Sequence, residues 1–173
     1  MVSLKQGPGY MKKTRLDAID IRILSAVQKH GQLRKTKLAE IVNLSPTPCW
    51  ARLSKLKAAG FIRGYHADIA LGYISNLTQV IVTIALTHHR KADFERFEDR
   101  IRQLDEVTEC IATGGGMDYV MKVTTPNLAA FQSLMDDLLS LEVEIDRYMT
   151  YIATRQVKSS QPNLTKLIGR DSK

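Results

Sequence analysis

Residues 45–60 read Ser-Pro-Thr-Pro-Cys-Trp-Ala-Arg-Leu-Ser-Lys-Leu-Lys-Ala-Ala-Gly. This stretch has the marks of a helix with a defined start and a defined stop. Ser45 can supply a capping oxygen, Pro46 and Pro48 fall in the first turn where backbone N–H groups lack partners anyway, and Gly60 ends the run. Cys49, Leu53 and Leu56 recur at i, i+4 and i+7, the spacing of a buried stripe. Thr47, Pro48, Ala51, Arg52, Ser54 and Lys55 are left on the outer surface. Trp50 can be read either as a half-buried packing residue or as a wedge against sugar and base.

Working outward toward the N-terminus, Asn43 and Leu44 make a turn, and residues 34–42 form a short helix that buries Leu38, Ala39 and Val42. Before it, Asp17 caps a first helix, with Asp20 in the place usually held by Glu. Leu16, Ile19, Ile23, Leu24 and Val27 mark its apolar stripe as far as Gly31. Residues 1–15 carry Gly7, Pro8 and Gly9 beside Lys12, Lys13 and Arg15 without an apolar period, and are expected to be a flexible basic arm. Three short helices, with a brief turn leading into a capped third, match the helix-turn-helix, whose second element lies in the major groove of DNA. Residues 16–64 are therefore expected to bind DNA, with residues 65–76 as a small wing and linker.

A three-helix bundle could equally be a protein-docking module, and charge separates the two readings. Residues 1–75 hold 13 Lys and Arg against 4 Asp and Glu, whereas residues 76–173 hold 12 against 14. The whole excess lies in the first part, which reads as contact with nucleic acid or an anionic membrane, or as a merely soluble basic surface; joined to the helix-turn-helix pattern it favours double-stranded DNA. Thr47 and Ser54 suit base edges, Arg52 can reach guanine or phosphate, and Lys12, Lys13 and Arg15 can follow the backbone or a minor groove.

Downstream the hydrophobic period changes. Residues 78–86 alternate, with Val80, Val82, Ile84 and Leu86 on one face of a strand. A helix over residues 92–104 carries Phe94, Phe97, Ile101 and Leu104. Strands over 107–112 and 119–124 flank Gly114-Gly115-Gly116-Met117-Asp118. Pro126 and Asn127 open a second helix, with Leu128, Phe131, Leu134, Met135 and Leu138 on its inner face. Residues 144–157 make the last strand and 159–173 a polar tail. The order is βαββαβ, a ferredoxin-like unit over residues 77–158, so the fold class is α+β with an N-terminal winged helix-turn-helix. Two helices cover one sheet face only. Ile81, Thr83 and Ala85 make the other face semi-apolar, so it is expected to meet another subunit. A two-fold dimer would set its two third helices roughly 34–36 Å apart, or a multiple of that.

Other classes fall away on composition. At 173 residues, 44% hydrophobic and 25% charged, the chain fits neither collagen, coiled coil nor disorder. Its longest apolar stretch, residues 80–86, is far short of the roughly 18 residues a membrane-spanning helix needs, and no apolar signal segment opens the chain, so a soluble protein is expected. Cys49 and Cys110 have no C-x-x-C partner, which leaves neither a disulfide framework nor a cysteine zinc site and points to the cytoplasm. Of four histidines only His88 and His89 adjoin, and adjacent strand-end residues face opposite ways. No catalytic grouping, metal site or cofactor site can be read. On its residues alone the glycine run is a turn, or a place where backbone N–H groups hold a carboxylate while Asp118 faces an ammonium.

Certain residues also carry a family likeness. Leu16-Asp17, Asp20, Ile23-Leu24, Leu38-Ala39, Leu44-Ser45-Pro46-Thr47-Pro48-Cys49, Arg52-Leu53, Leu56, Gly60-Phe61-Ile62 and Gly64-Tyr65 resemble the DNA-binding half of the Lrp/AsnC, or feast/famine, regulators. The glycine loop running into residues 117–123, together with residues 150–158, resembles the effector domain of that family. The resemblance covers about residues 15–158. It implies a sequence-specific transcriptional regulator that binds an amino acid or related metabolite between subunits. The implied pocket holds Gly115, Gly116, Met117, Asp118 and Tyr119, with Tyr151, Ile152, Ala153 and Thr154 from the last strand. It also implies homodimers that assemble further, to an octamer. Three successive glycines, and Thr154 where the family often has an apolar residue, depart from the pattern. The alternative reading is an architectural DNA-binding protein without an effector.

Overall fold

The computed structural model describes residues 16–140 and 144–168. The expected basic arm with Lys12, Lys13 and Arg15, and residues 169–173 of the expected tail, lie outside them. The described chain forms two units, one of residues 16–68 with 159–168 and one of residues 69–158.

The first unit contains α1 (Ala18–His30), α2 (Lys35–Val42) and α3 (Pro46–Ala58). A reciprocal capping box starts α1: Asp17 accepts the Asp20 N–H at 2.8 Å, and Asp20 accepts the Asp17 N–H at 3.2 Å. Gly31, at φ 69°, ends that helix. Asn43 ends α2 in the left-handed region at φ 53°, a conformation its short polar side chain tolerates. Ile23, Leu38, Val42, Cys49, Leu53 and Leu56 form the core, as their spacing requires.

One expectation needs correction here. Ser45 occupies the N-cap position of α3, but its side chain makes no capping hydrogen bond. A cap serves the N–H of the second or third helical residue, and Pro48, the third, has none. The Ser45 carbonyl still opens the helix by accepting the Cys49 N–H at 3.2 Å. The segment that the sequence reads as a short extended segment or small wing is irregular over residues 61–70, followed by a single 3-10 turn at Leu71–Tyr73. Ile62 and Tyr65 of this segment pack against the helical core. Part of the expected polar tail is also ordered, forming α6 (Leu164–Ile168), which packs against α1.

The second unit runs β1 (Thr78–Leu86), α4 (Lys91–Ile101), β2 (Val107–Ala112), β3 (Tyr119–Thr125), α5 (Leu128–Ser140) and β4 (Ile145–Ile152). The strands pair antiparallel in the order β2-β3-β1-β4, the ferredoxin-like arrangement. α4 starts when Asp93 accepts the Arg90 N–H at 3.2 Å. α5 starts when Asn127 accepts the Ala130 N–H at 2.9 Å. Both helices cover one sheet face, where Val80, Val82, Ile84, Tyr119, Met121 and Val123 meet Phe97, Ile101, Phe131, Met135 and Leu138. Two element ends differ from expectation. α4 stops at Ile101, with Leu104 still folded against the core, and β4 stops at Ile152 rather than 157. The Ala153 N–H continues the ladder by one bond, to the Gln79 carbonyl at 2.8 Å.

Candidate DNA interface and ligand site

α3 turns its apolar stripe inward and leaves Thr47, Pro48, Ala51, Ser54 and Lys55 exposed, together with Ser45 at its start. Short hydroxyls and one ammonium along an open helix face match the chemistry of base edges and phosphates. Cys49 is 1% exposed and burial pushes its thiol up, so it serves packing rather than reactivity.

Two residues of α3 are held by the protein itself. Arg52 Nη1 donates to Asp17 Oδ2 at 2.6 Å and to Asp20 Oδ1 at 2.9 Å, tying α3 to the first turn of α1. The Asp20 backbone N–H and then the Arg52 guanidinium hold the Asp17 carboxyl below the usual carboxylate range. By charge counting alone Arg52 is an outward cation; the two carboxylates that complete its pair lie 32 and 35 positions earlier. Trp50 is half-buried against the helical core, with the Lys35 ammonium 4.5 Å and the Lys57 ammonium 5.8 Å from its ring centroid. Lys57 also lies 5.0 Å from the Tyr65 ring, which links the end of α3 to the segment after it.

In the second unit the glycine loop joins β2 to β3. Gly115 has φ 137°, which favours glycine, and a Cβ at Gly114, Gly115 or Gly116 would meet open space. Asp118 anchors the loop. Its Oδ2 accepts the Leu86 N–H at 2.8 Å and lies 3.2 Å from His89 Nε2, while its backbone N–H donates to the Ile84 carbonyl at 2.8 Å. His88 faces Glu144 instead, at 3.4 Å, so the adjacent histidines diverge as expected. Among the described residues no group of three or more His, Cys, Asp and Glu is placed to hold a metal ion.

The register separates the two halves of the expected ligand pocket. Tyr119, next to the loop, pairs with Ile84, which pairs across with Tyr148 of β4, whereas Tyr151 pairs with Ile81 and Ile152 with Val80. Three to four residues along a strand is roughly 10–13 Å, so one chain puts the loop and residues 151–154 toward opposite ends of the sheet. The β4 residue that does meet the loop is Arg147, whose Nη2 donates to the Gly116 carbonyl at 2.9 Å. Sequence reasoning missed Arg147, and only its place in the strand register could have indicated it.

β4 also has two different faces. Thr150 pairs with the core residue Val82, so Tyr148, Thr150 and Ile152 lie on the helix side, at the margin that α5 leaves open. Arg147, Met149 and Tyr151 lie on the outer side with Ile81, Thr83, Ala85 and Ile111. Ile111, Met149 and Tyr151 are 51%, 48% and 52% exposed, so this is an uncovered apolar surface.

A helix-turn-helix with a basic open face, followed by a βαββαβ unit with a glycine loop, defines a two-domain DNA-binding regulator. Residues 16–63 match the winged helix-turn-helix DNA-binding family, and residues 79–163 match the Lrp/AsnC ligand binding domain. The transcriptional regulatory protein DoeX of Halomonas elongata is 40% identical over 87% of this chain and 96% of its own length. The leucine-responsive regulatory protein of Escherichia coli is 34% identical over 92% and 95%. A crystal structure of a transcriptional regulator of Neisseria meningitidis in complex with L-Met superposes with a TM-score of 0.79 at 30% identity, covering 89% of this chain and all of that one. The chain belongs to the Lrp/AsnC family of transcriptional regulators, and its relatives are regulators, not enzymes. Among its described residues no helix is long and apolar enough to cross a membrane.

Proposed function

We propose that this protein is a cytoplasmic, sequence-specific regulator that reads double-stranded DNA with α3 and responds to an amino acid or a close metabolite held between subunits. Ser45, Thr47, Pro48, Ala51, Ser54 and Lys55 form the reading face, while Trp50 and Arg52 set the position of the helix. The observation that carries the effector reading is the strand register. In one chain Gly115, Gly116, Met117, Asp118 and Tyr119 lie toward the opposite end of the sheet from Tyr151, Ile152, Ala153 and Thr154, so a pocket made of both needs a second copy. The open apolar outer face offers a surface for that copy, and a relative at 30% identity has been crystallised with L-Met.

The effector then acts by linkage: it shifts DNA affinity only by the difference in its affinity for the assembled states, with dimers and an octamer as the species in exchange. Arg147, already bonded to the loop, supplies a cation for a ligand carboxylate. The test is to incubate the purified protein with fragmented genomic DNA near physiological salt, with and without L-methionine and L-leucine, and to sequence what it retains. A few sharp peaks whose occupancy depends on one amino acid are expected. A flat, steeply salt-sensitive profile would replace this reading with an architectural role.

A further inference from the structure

The C-terminal segment reads in sequence as a polar tail, and it returns to the DNA-binding unit after the chain has built the whole ligand-binding unit. α6 has only five residues, and isolated helices shorter than roughly 12 residues are marginal in water, so docking must hold it. Asn163 caps it, accepting the Lys166 N–H at 3.1 Å. Leu164, at the first position, and Ile168, four residues on, are both half-buried. Leu164 packs against the helical core, while Leu167 between them is 64% exposed. The two inward residues close an apolar groove of about 800 Å³ whose walls include Leu16, Leu24 and Val27 of α1 and Phe61 and Tyr65 from the segment after α3.

We propose that residues 159–168 are a strap that sets the position of the reading helix, and so give the ligand-binding unit a second covalent hold on DNA recognition. The route is continuous. Leu164 packs against the helical core and shares the wall of the groove with Leu16 of the segment before α1, and Leu16 adjoins Asp17 in sequence. Asp17 and Asp20 grip Arg52 of α3. The other wall of the groove carries Tyr65, against which Lys57 at the end of α3 rests. Withdrawing the strap thus loosens the Arg52 and Lys57 attachments of α3 together, while its core contacts through Cys49, Leu53 and Leu56 remain and no residue of its reading face is changed.

The test compares Leu164→Asp with Leu167→Asp in the full chain, with truncation after Lys158 as a second loss of the strap. Amide hydrogen exchange over residues 16–30 and 61–66 should rise about tenfold or more in Leu164→Asp and in the truncated protein, since burying a charged group there is strongly disfavoured. Exchange over β1, β3 and α5 should not change, and Leu167→Asp should match the parent. Affinity for a duplex retained from genomic DNA should fall at least fivefold in the first two proteins only. Leu164→Asp behaving like Leu167→Asp in exchange overturns the strap. Raised exchange with unchanged DNA affinity overturns its link to recognition. The affinity arm rests on the proposed DNA reading and the exchange arm does not, so failure of that reading shows separately, as absent binding by the parent.

Discussion

The two units close on themselves to different degrees. The DNA-binding unit completes its contacts within one chain: its capping box, its Arg52 pair, its helical core and the Leu164 contact all use residues of the same unit. The ligand-binding unit completes only one face of its sheet. Its outer face keeps Ile111, Met149 and Tyr151 about half exposed, and its expected pocket is divided between the two ends of the sheet. The first unit closes its contacts on itself, whereas the second leaves one sheet face open, the surface that the proposed function gives to a second copy. That asymmetry suits a regulator whose reading head is constant and whose assembly state is adjustable.

The largest expected effect tests whether the units are separate at all. Phe97 is fully buried in the second core, and Phe97→Ala should cost that unit about 3–5 kcal/mol. Trp50, the sole tryptophan of the chain, belongs to the first unit and reports on it alone. Urea unfolding followed by Trp50 fluorescence should shift little, while hydrogen exchange over β1 and β3 shows the loss. If the fluorescence midpoint falls by an equal amount, the two units unfold as one block and the contrast fails.

The next effect concerns the open face. Met149→Glu places a charge on a half-exposed position of the outer surface, where it costs the monomer little. Burying it at a subunit contact without a partner costs several kcal/mol, so self-association should weaken by about a hundredfold or more. Analytical ultracentrifugation measures this. Unchanged assembly would move the subunit contact away from this face.

How much of this could be read in the sequence differs between the same two regions. The α3 stripe, the turn at Asn43 and the Asp17–Asp20 capping box are local patterns, and the structure has each where spacing put it. The sheet order also followed from the element sequence. What spacing could not show were pairings between distant residues. Arg52 looked free because its carboxylates lie far back in the chain, and Arg147 looked ordinary because its neighbour, Gly116, is 31 positions away. The tail looked polar because two apolar residues, Leu164 and Ile168, make only one helical turn. Their value lies in a groove made by other segments.

Asp118 sharpens the contrast on a smaller scale. The family likeness gives it to the ligand, yet its Oδ2 already serves the Leu86 N–H and His89. Asp118→Ala should therefore cost the ligand-binding unit about 1–3 kcal/mol by leaving that buried backbone donor without its acceptor, before any ligand is added. Thermal unfolding of the ligand-free protein measures it. Unchanged stability with a lost amino-acid response would return Asp118 to the ligand alone.

The smallest expected effect probes the closed unit through acid. Asp17 is held below the usual carboxylate range first by the Asp20 N–H and then by Arg52, so its ionised form is favoured in the folded state. A group lowered in this way stabilises the fold above its unfolded pKa, about 3.9, and loses that contribution as pH falls through the folded value. Asp17→Asn keeps a good capping side chain and removes only the charge. The stability gap between parent and variant, read from Trp50 fluorescence in urea, should be constant above about pH 5 and close below about pH 4. The carboxylate is half exposed, so the gap should be small and should narrow with salt. A gap that stays flat to the acid limit would mean that Arg52 is held by shape and hydrogen-bond geometry. The attachment of α3 to α1 would then not depend on the Asp17 charge, and Asp20 would be the carboxylate that holds Arg52.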